Sequence, residues 1–211
     1  MQYKTYLFDF DYTLANSEKG IVMCFEKLLA EDNYPTKTKK EIKHTIGLAM
    51  PKAISILTGE TDTNVLRRLQ KQYSVFSDTC MTENTHLYET TVPILKKLKA
   101  SGCQTGIVSN KTRRRILQTL HKENIANLID IIIGTENAQK PKPAPEPIWQ
   151  ALAALNADKP HSVYIGDSIT DAKTAEAAGV AFAAVLTGET GYDAFVNYPH
   201  IKIMQSLQQL C

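Results

Sequence analysis

The sequence predicts an α/β fold, a parallel sheet with helices on both faces and an all-helical segment inserted after the first strand. Three observations predict it. An apolar run opens the chain at residues 3–10. Residues 16–82 then carry only helical periodicity, with no strand-like run. From about residue 92 onward, short apolar runs alternate with helical stretches of about ten residues, the rhythm of a parallel sheet.

Residues 3–10 read as a buried strand that ends in Asp9 and Asp11. Ile21, Val22, Phe25, Leu28 and Leu29 recur at helical spacing, which predicts a helix over 17–30 with Ser17 as N-cap. The polar stretch 33–40, with Pro35, reads as a loop. A short helix over 41–46 stops at Gly47, and another over 51–57 has Pro51 in its first turn and Gly59 beyond its end. Val65, Leu66, Leu69, Tyr73 and Phe76 form the inward face of a helix over 64–80.

After Leu87-Tyr88 the pattern changes. Helices are predicted over 92–100 (closed by Gly102), 112–124, 145–156 and 170–178. Strands are predicted over 105–109, 129–134, 163–166 and 180–186. The proline-dense stretch 140–147 is too short for a linker and reads as a rigid loop. The chain thus divides into a core of residues 1–15 and 83–211 and a helical unit of residues 16–82. Two short hinges join them, near Ala15-Asn16 and near residues 83–87.

Composition narrows the function classes. A net charge of +2 gives no nucleic-acid footprint, and the run Arg113-Arg114-Arg115 reads as a solvated helix face. Cys24, Cys80, Cys103 and Cys211 have no metal-ligand spacing and read as free thiols of a reducing compartment. No apolar stretch approaches the roughly 20 residues of a membrane span, and the N-terminal segment reads as a strand, not a signal peptide. A cytoplasmic protein with no membrane or nucleic-acid partner is expected, as a monomer or weak homodimer.

In open parallel sheets, ligands bind beyond the carboxyl ends of the strands. Asp9 and Asp11 stand at the first such end, and Ser109-Asn110-Lys111 at the second. The loop after the third carries Lys140 and Lys142, and the fourth ends in Gly166-Asp167-Ser168 with Asp171 beyond. Singly, Ser109 reads as a helix cap, Lys142 as a surface charge and Asp167 as a turn residue. Four such groups on one edge point instead to phosphoryl transfer. A carboxylate nucleophile needs its target's charge neutralised, which a divalent cation and a lysine supply. Two acids as close as Asp9 and Asp11 repel, and oxygen ligands suit magnesium. They either face one site along a strand or are separated by a turn.

These residues resemble the four motifs of the haloacid dehalogenase superfamily of phosphatases: Asp9-Phe10-Asp11-Tyr12-Thr13-Leu14, then Ser109-Asn110, then Lys142, then Gly166-Asp167-Ser168-Ile169-Thr170-Asp171. The resemblance covers nearly the whole chain and is nearest to the phosphoglycolate phosphatase-like branch. It implies a Rossmann-like core with an α-helical cap and a Mg²⁺-dependent phosphatase acting on a small phosphorylated metabolite. That metabolite would be phosphoglycolate-like, or a sugar or nucleotide phosphate. It further implies that Asp9 becomes an aspartyl phosphate and that Asp11 is the general acid and base, its backbone carbonyl binding the metal. Ser109 would hold a phosphate oxygen and Asn110 orient nucleophile and substrate. Lys142, preferred over Lys140 because the K-P-x-P-[DE] continuation fits it better, would neutralise the phosphate and Asp9. Asp167 would ligate magnesium, and Asp171 would support the metal directly or through water.

Two positions depart from the family pattern. Tyr12 stands where glycine is common, so a positive φ there is costly. Asn16 stands where an acid is often found. Gly47-Leu48 reads equally as a site-facing loop or a helix stop. The alternative activity is that of a sugar phosphomutase (a β-phosphoglucomutase-like isomerase). The sequence has no clear cationic cap motif for it, and its fourth motif is Gly-Asp-Ser, unlike the mutases' acidic pair.

Overall fold

The computed structural model describes residues 2–210, so Cys211 lies outside the description. Strand β1 (Thr5–Phe8) is buried along its whole length. Tyr6 and Phe8 pack into one hydrophobic cluster and Leu7 into another, on the opposite face of the sheet. A strand covered on both faces must be apolar at every position, which is why it reads as a run. It is shorter than expected because the chain turns after Asp9: the amides of Thr13, Leu14 and Ala15 all return to the Phe10 carbonyl.

The insertion follows. It comprises β2 (Ala15–Asn16), α1 (Glu18–Glu31), α2 (Lys39–Lys43), α3 (Met50–Thr58) and α4 (Thr63–Cys80), and the chain returns through β3 (His86–Leu87). The segment 16–82 is therefore not purely helical. Ala15 pairs with Leu87 and Asn16 with His86, antiparallel, so the two crossings form one small ribbon. A two-residue strand has no periodicity to read. Ser17 stands at the N-cap of α1 but makes no capping hydrogen bond. Helix α2 starts earlier than expected because Thr38 and Glu41 form a capping box.

The four helices enclose their own core, which includes Phe25, Leu28, Ile54, Leu69 and Tyr73. The Cys24 and Cys80 thiols lie 3.3 Å apart in it, and burial pushes the Cys24 thiol up to about 12.

The rest of the chain alternates. In order come α5 (Thr91–Ala100), β4 (Gln104–Val108), α6 (Arg113–Lys122), β5 (Ile131–Ile133) and α7 (Glu146–Leu155). Then follow β6 (Ser162–Gly166), α8 (Ile169–Ala178), β7 (Ala181–Val185), α9 (Tyr192–Val196) and β8 (Lys202–Met204). Among the described residues, six strands pair in the order β5-β4-β1-β6-β7-β8, every pair parallel. Sequence reading finds five of them. The edge strand β8 is three residues long and partly exposed, so no apolar run marks it. From β1 the order runs outward through β4 and β5 on one side, and from β6 through β7 and β8 on the other. The crevice at this reversal holds the candidate site.

Contacts between insertion and sheet include several polar ones. Asn110 donates to the Gly47 carbonyl at 2.9 Å, Lys43 pairs with Glu189 at 2.8 Å, and Lys122 donates to the Thr82 and Thr85 carbonyls at 3.0 and 2.9 Å. Arg114 and Arg115 both pair with Asp78 on α4. Arg115 is 6% exposed, so the arginine run is not a solvated face. One of its members is buried against α4, a neighbour that only the tertiary fold supplies.

Because the insertion has a separate core, damage to it should remain local. Leu69→Ala is expected to cost about 2–5 kcal/mol and to speed amide exchange in α1 and α4 first. Hydrogen-exchange mass spectrometry checks this. Equal, simultaneous loss of protection in β1 and β6 would show one cooperative unit instead.

Candidate active site

At the end of β1, Asp9 is 1% exposed. Its Oδ1 accepts the Phe10 amide at 2.7 Å and lies 3.0 Å from Nζ of Lys142. The turn sends Asp11 elsewhere. Asp11 Oδ1 accepts from Nζ of Lys111 at 2.8 Å and from the Ser17 hydroxyl. Two acids one residue apart thus have different cations. Tyr12, between them and the hinge, takes φ 60 despite its bulk. Its ring is buried, its amide donates to the Ala15 carbonyl at 2.7 Å, and its hydroxyl donates to Glu18 at 2.9 Å. Asn16 accepts the Glu18 amide at 3.1 Å, at the exposed end of the ribbon.

Strand β4 delivers Ser109, which is buried, and Asn110. Asn110 clamps the loop after β5. Its side-chain oxygen accepts the Lys142 amide at 3.0 Å, and its amide group lies 3.3 Å from the Lys142 carbonyl oxygen. Lys142 is thereby held in the crevice. Lys140 is not: 73% of its side chain is exposed and it pairs with Glu146 at 3.6 Å.

Strand β6 runs into Gly166 and Asp167. The Thr13 hydroxyl donates to Asp167 at 3.0 Å. Asp171, in the first turn of α8, closes a capping box with Ser168, whose hydroxyl donates to its Oδ2 at 2.5 Å. The Asp171 Oδ1 lies 2.6 Å from Nζ of Lys142 and 3.0 Å from the Tyr164 hydroxyl. Glycines make room for these acids. A Cβ at Gly166 would overlap Asp171, and one at Gly188 would overlap the Asp167 carboxylate.

Four carboxyl groups (Asp9, Asp11, Asp167, Asp171) face two ammonium groups (Lys111, Lys142), so ionising all four would leave two negative charges uncompensated. Burial raises the Asp9 carboxyl to about 6; Lys142 opposes this, and Asp171 adds to it. Burial, then the charges of Asp171 and Asp9, hold Asp167 well above the usual carboxylate range. Burial alone would lower Lys142, but Asp171 and Asp9 hold it above its ordinary value. A divalent cation would cancel the surplus. Oxygens of Asp9, Asp167 and Asp171 lie within 4.8 Å of one another, an all-oxygen set that fits a hard cation. The Asp11 carboxylate is not in that cluster among the described residues; its Oδ1 is engaged by Lys111 and Ser17.

A cavity of about 120 Å³ separates the crevice from the insertion. Asp11, Ser109 and Asn110 line it from the sheet, and Gly47, Leu48 and Tyr73 from the insertion. Gly47 has φ +86, so it makes the turn after α2 and also faces the site. The sequence assigns no role in the site to Ser17, Lys111, Thr13, Tyr164 or Gly188. Tyr164 had a signal, since a buried phenol needs a polar partner. Ser17 looked like a cap, and nothing marked Gly188.

The family model for haloacid dehalogenase-like hydrolases matches residues 6–185. The chain belongs to that family. This hydrolase is 30% identical to the pyrophosphatase PpaX of Bacillus pumilus over 98% of its own length and 94% of the relative's. It is 33% identical to a phosphoglycolate phosphatase of Cereibacter sphaeroides over 86% and 84% of the two chains. A crystal structure from Bacteroides fragilis, described as a haloacid dehalogenase-like hydrolase, superposes with a TM-score of 0.97 at 44% identity, covering 99% of this chain and 100% of that one.

The raised Asp9 carboxyl gives a stability prediction for the metal-free hydrolase. The folded state binds this proton more tightly than the unfolded state, so the associated stability is present below about 3.8 and is lost as pH rises to about 6. Asp9→Asn removes the charge. It should be more stable than the parent at pH 7 in chelator, by roughly 1–3 kcal/mol, with the advantage shrinking toward pH 4. Paired denaturant titrations measure it, and a constant difference across pH would contradict the raised Asp9 carboxyl.

Proposed function

We propose that this hydrolase is a magnesium-dependent phosphatase that cleaves a small phosphate monoester through a phosphorylated Asp9. One observation carries the reading. Asp9 is a buried carboxylate paired with a buried lysine at a strand end, while a second acid stands close by on a separate tether. Asp9 is then free to attack, and Asp11 to move protons.

An Asp9 oxygen attacks phosphorus, and the bond to the leaving oxygen breaks. Asp11 gives that oxygen its proton. Lys142 offsets charge on the phosphoryl group and Ser109 holds one of its oxygens. Asp11 then takes a proton from water, which attacks phosphorus and releases phosphate and the Asp9 carboxylate. Magnesium, bound by Asp9, Asp167 and the Asp11 backbone carbonyl, would neutralise phosphoryl charge. Asp171 fits a supporting place, since both its oxygens already accept hydrogen bonds. Asn110 acts by fixing Lys142 and touching Gly47, and so orients Asp9 indirectly.

The relatives named for phosphoglycolate and pyrophosphate, and a cavity of about 120 Å³, support a compact substrate. The helical unit of residues 16–82 would act as a cap that turns about the β2–β3 ribbon and excludes water when closed.

Phosphate release should stop in chelator and return with magnesium but poorly with calcium. A sugar 1-phosphate should give free phosphate with no 6-phosphate isomer by phosphorus NMR. Isomer in place of phosphate would make the protein a mutase.

Asp9→Asn should abolish turnover of every ester. Asp11→Asn should still be phosphorylated by nitrophenyl phosphate, because that leaving group needs no proton. Alkyl esters should lose about 10²–10⁴-fold. Rapid mixing should then show a burst of about one nitrophenol per site with phosphate trapped on the Asp9 peptide. Equal losses on both ester types, without a burst, would assign the proton transfers to another group.

A further inference from the structure

Arg115 lies in the first turn of α6, the helix that leaves the β4 end of the crevice. Its Nη2 donates to the Ser74 carbonyl at 2.7 Å and to Asp78 at 2.9 Å, and lies 3.2 Å from the Ser74 hydroxyl, all on α4. Its Nη1 is buried and has no hydrogen-bond partner among the described residues. A buried cationic donor without an acceptor is costly. Thr112 repeats the pattern. It is the N-cap residue of the same helix, yet its hydroxyl makes no capping bond and is buried without a partner among the described residues. Both residues line the cavity that Asp11, Ser109 and Asn110 line. Asp78 balances the arginine only partly, because it is 45% exposed and shared with Arg114.

We propose that Arg115 and Thr112 form a specificity site that binds an anionic oxygen on the leaving group, at the end away from the scissile phosphate. The group is a carboxylate or a second phosphate, both of which present the acceptor geometry a guanidinium fork matches. Ser74 and Asp78 fix Nη2, so the fork is oriented before ligand arrives and little side-chain freedom remains to be lost. Because those partners sit on the insertion, the site is complete only with the insertion in place. The proposal rests on the phosphatase reading for the position of the scissile phosphate, but its test needs no turnover.

The test is calorimetric binding of phosphonates, whose carbon–phosphorus bond stands in for the ester, to the magnesium-loaded full chain. Phosphonoacetate carries a carboxylate, methylenediphosphonate a second phosphoryl group, and propylphosphonate neither. At least one of the first two should bind about 10- to 100-fold more tightly than propylphosphonate, and which one does so names the group. Arg115→Met should remove that preference while changing propylphosphonate affinity less than about threefold, and Arg115→Lys should restore only part of it. Asp78→Ala breaks one tie to α4 without touching Nη1 and should keep the preference. Should Arg115→Met fail to fold, Thr112→Val must still lower the preference. No preference or no binding in the parent, an Asp78→Ala loss as large as that of Arg115→Met, or an unchanged Thr112→Val in that event overturns the proposal. Failure of the parent to release phosphate from any ester would count against the phosphatase reading alone.

Discussion

The site is built around one buried ammonium group. Lys142 Nζ lies 3.0 Å from Asp9 and 2.6 Å from Asp171, with side-chain exposures of 1%, 2% and 0%. Removing such charges from water is expensive unless geometry and hydrogen bonding are complete. The surroundings meet that demand. Asn110 fixes the lysine backbone, the Tyr164 hydroxyl lies 2.9 Å from Nζ, and Ser168 holds the far oxygen of Asp171. Even so, burial first and the neighbouring acids second keep the Asp9 and Asp167 carboxyls raised. Asp9, Asp167 and Asp171 place oxygens within 4.8 Å of one another, and that donor set is the physical case for a hard cation.

Topology explains why this charge can be concentrated. Strand β1 is flanked by β4 and β6, so three strand ends converge with the loop after β5. The tight turn at Phe10 then divides two neighbouring acids between separate cations. A straight strand would have placed both on one face, in mutual repulsion.

The insertion carries a core of its own, and its ties to the sheet include hydrogen bonds and ion pairs. Polar ties break at lower cost than an apolar seam of equal area, which is compatible with the cap motion proposed above. The same ties reach the cavity. Gly47, Ser74 and Tyr73 belong to the insertion and face groups at the strand ends. Under the proposed function, substrate selection and closure would share residues.

The sequence by itself determined the fold class and the edge on which polar groups gather. Apolar runs, helical periodicity and strand-end polarity are local signals, and they bring Asp9, Asp11, Ser109, Asn110, Asp167 and Asp171 to one edge together with both Lys140 and Lys142; the preference for Lys142 came from the family resemblance. Tertiary structure alone decided who pairs with whom. It placed Lys142 in the crevice and Lys140 outside, gave Ser17 to Asp11 in place of a helix end, and added a two-residue ribbon and a short edge strand. It also buried Arg115, which no reading of an arginine run could foresee. The reason is common to all of them: a hydrogen bond or ion pair between residues far apart in sequence leaves no periodicity, and its partner exists only after the chain has folded.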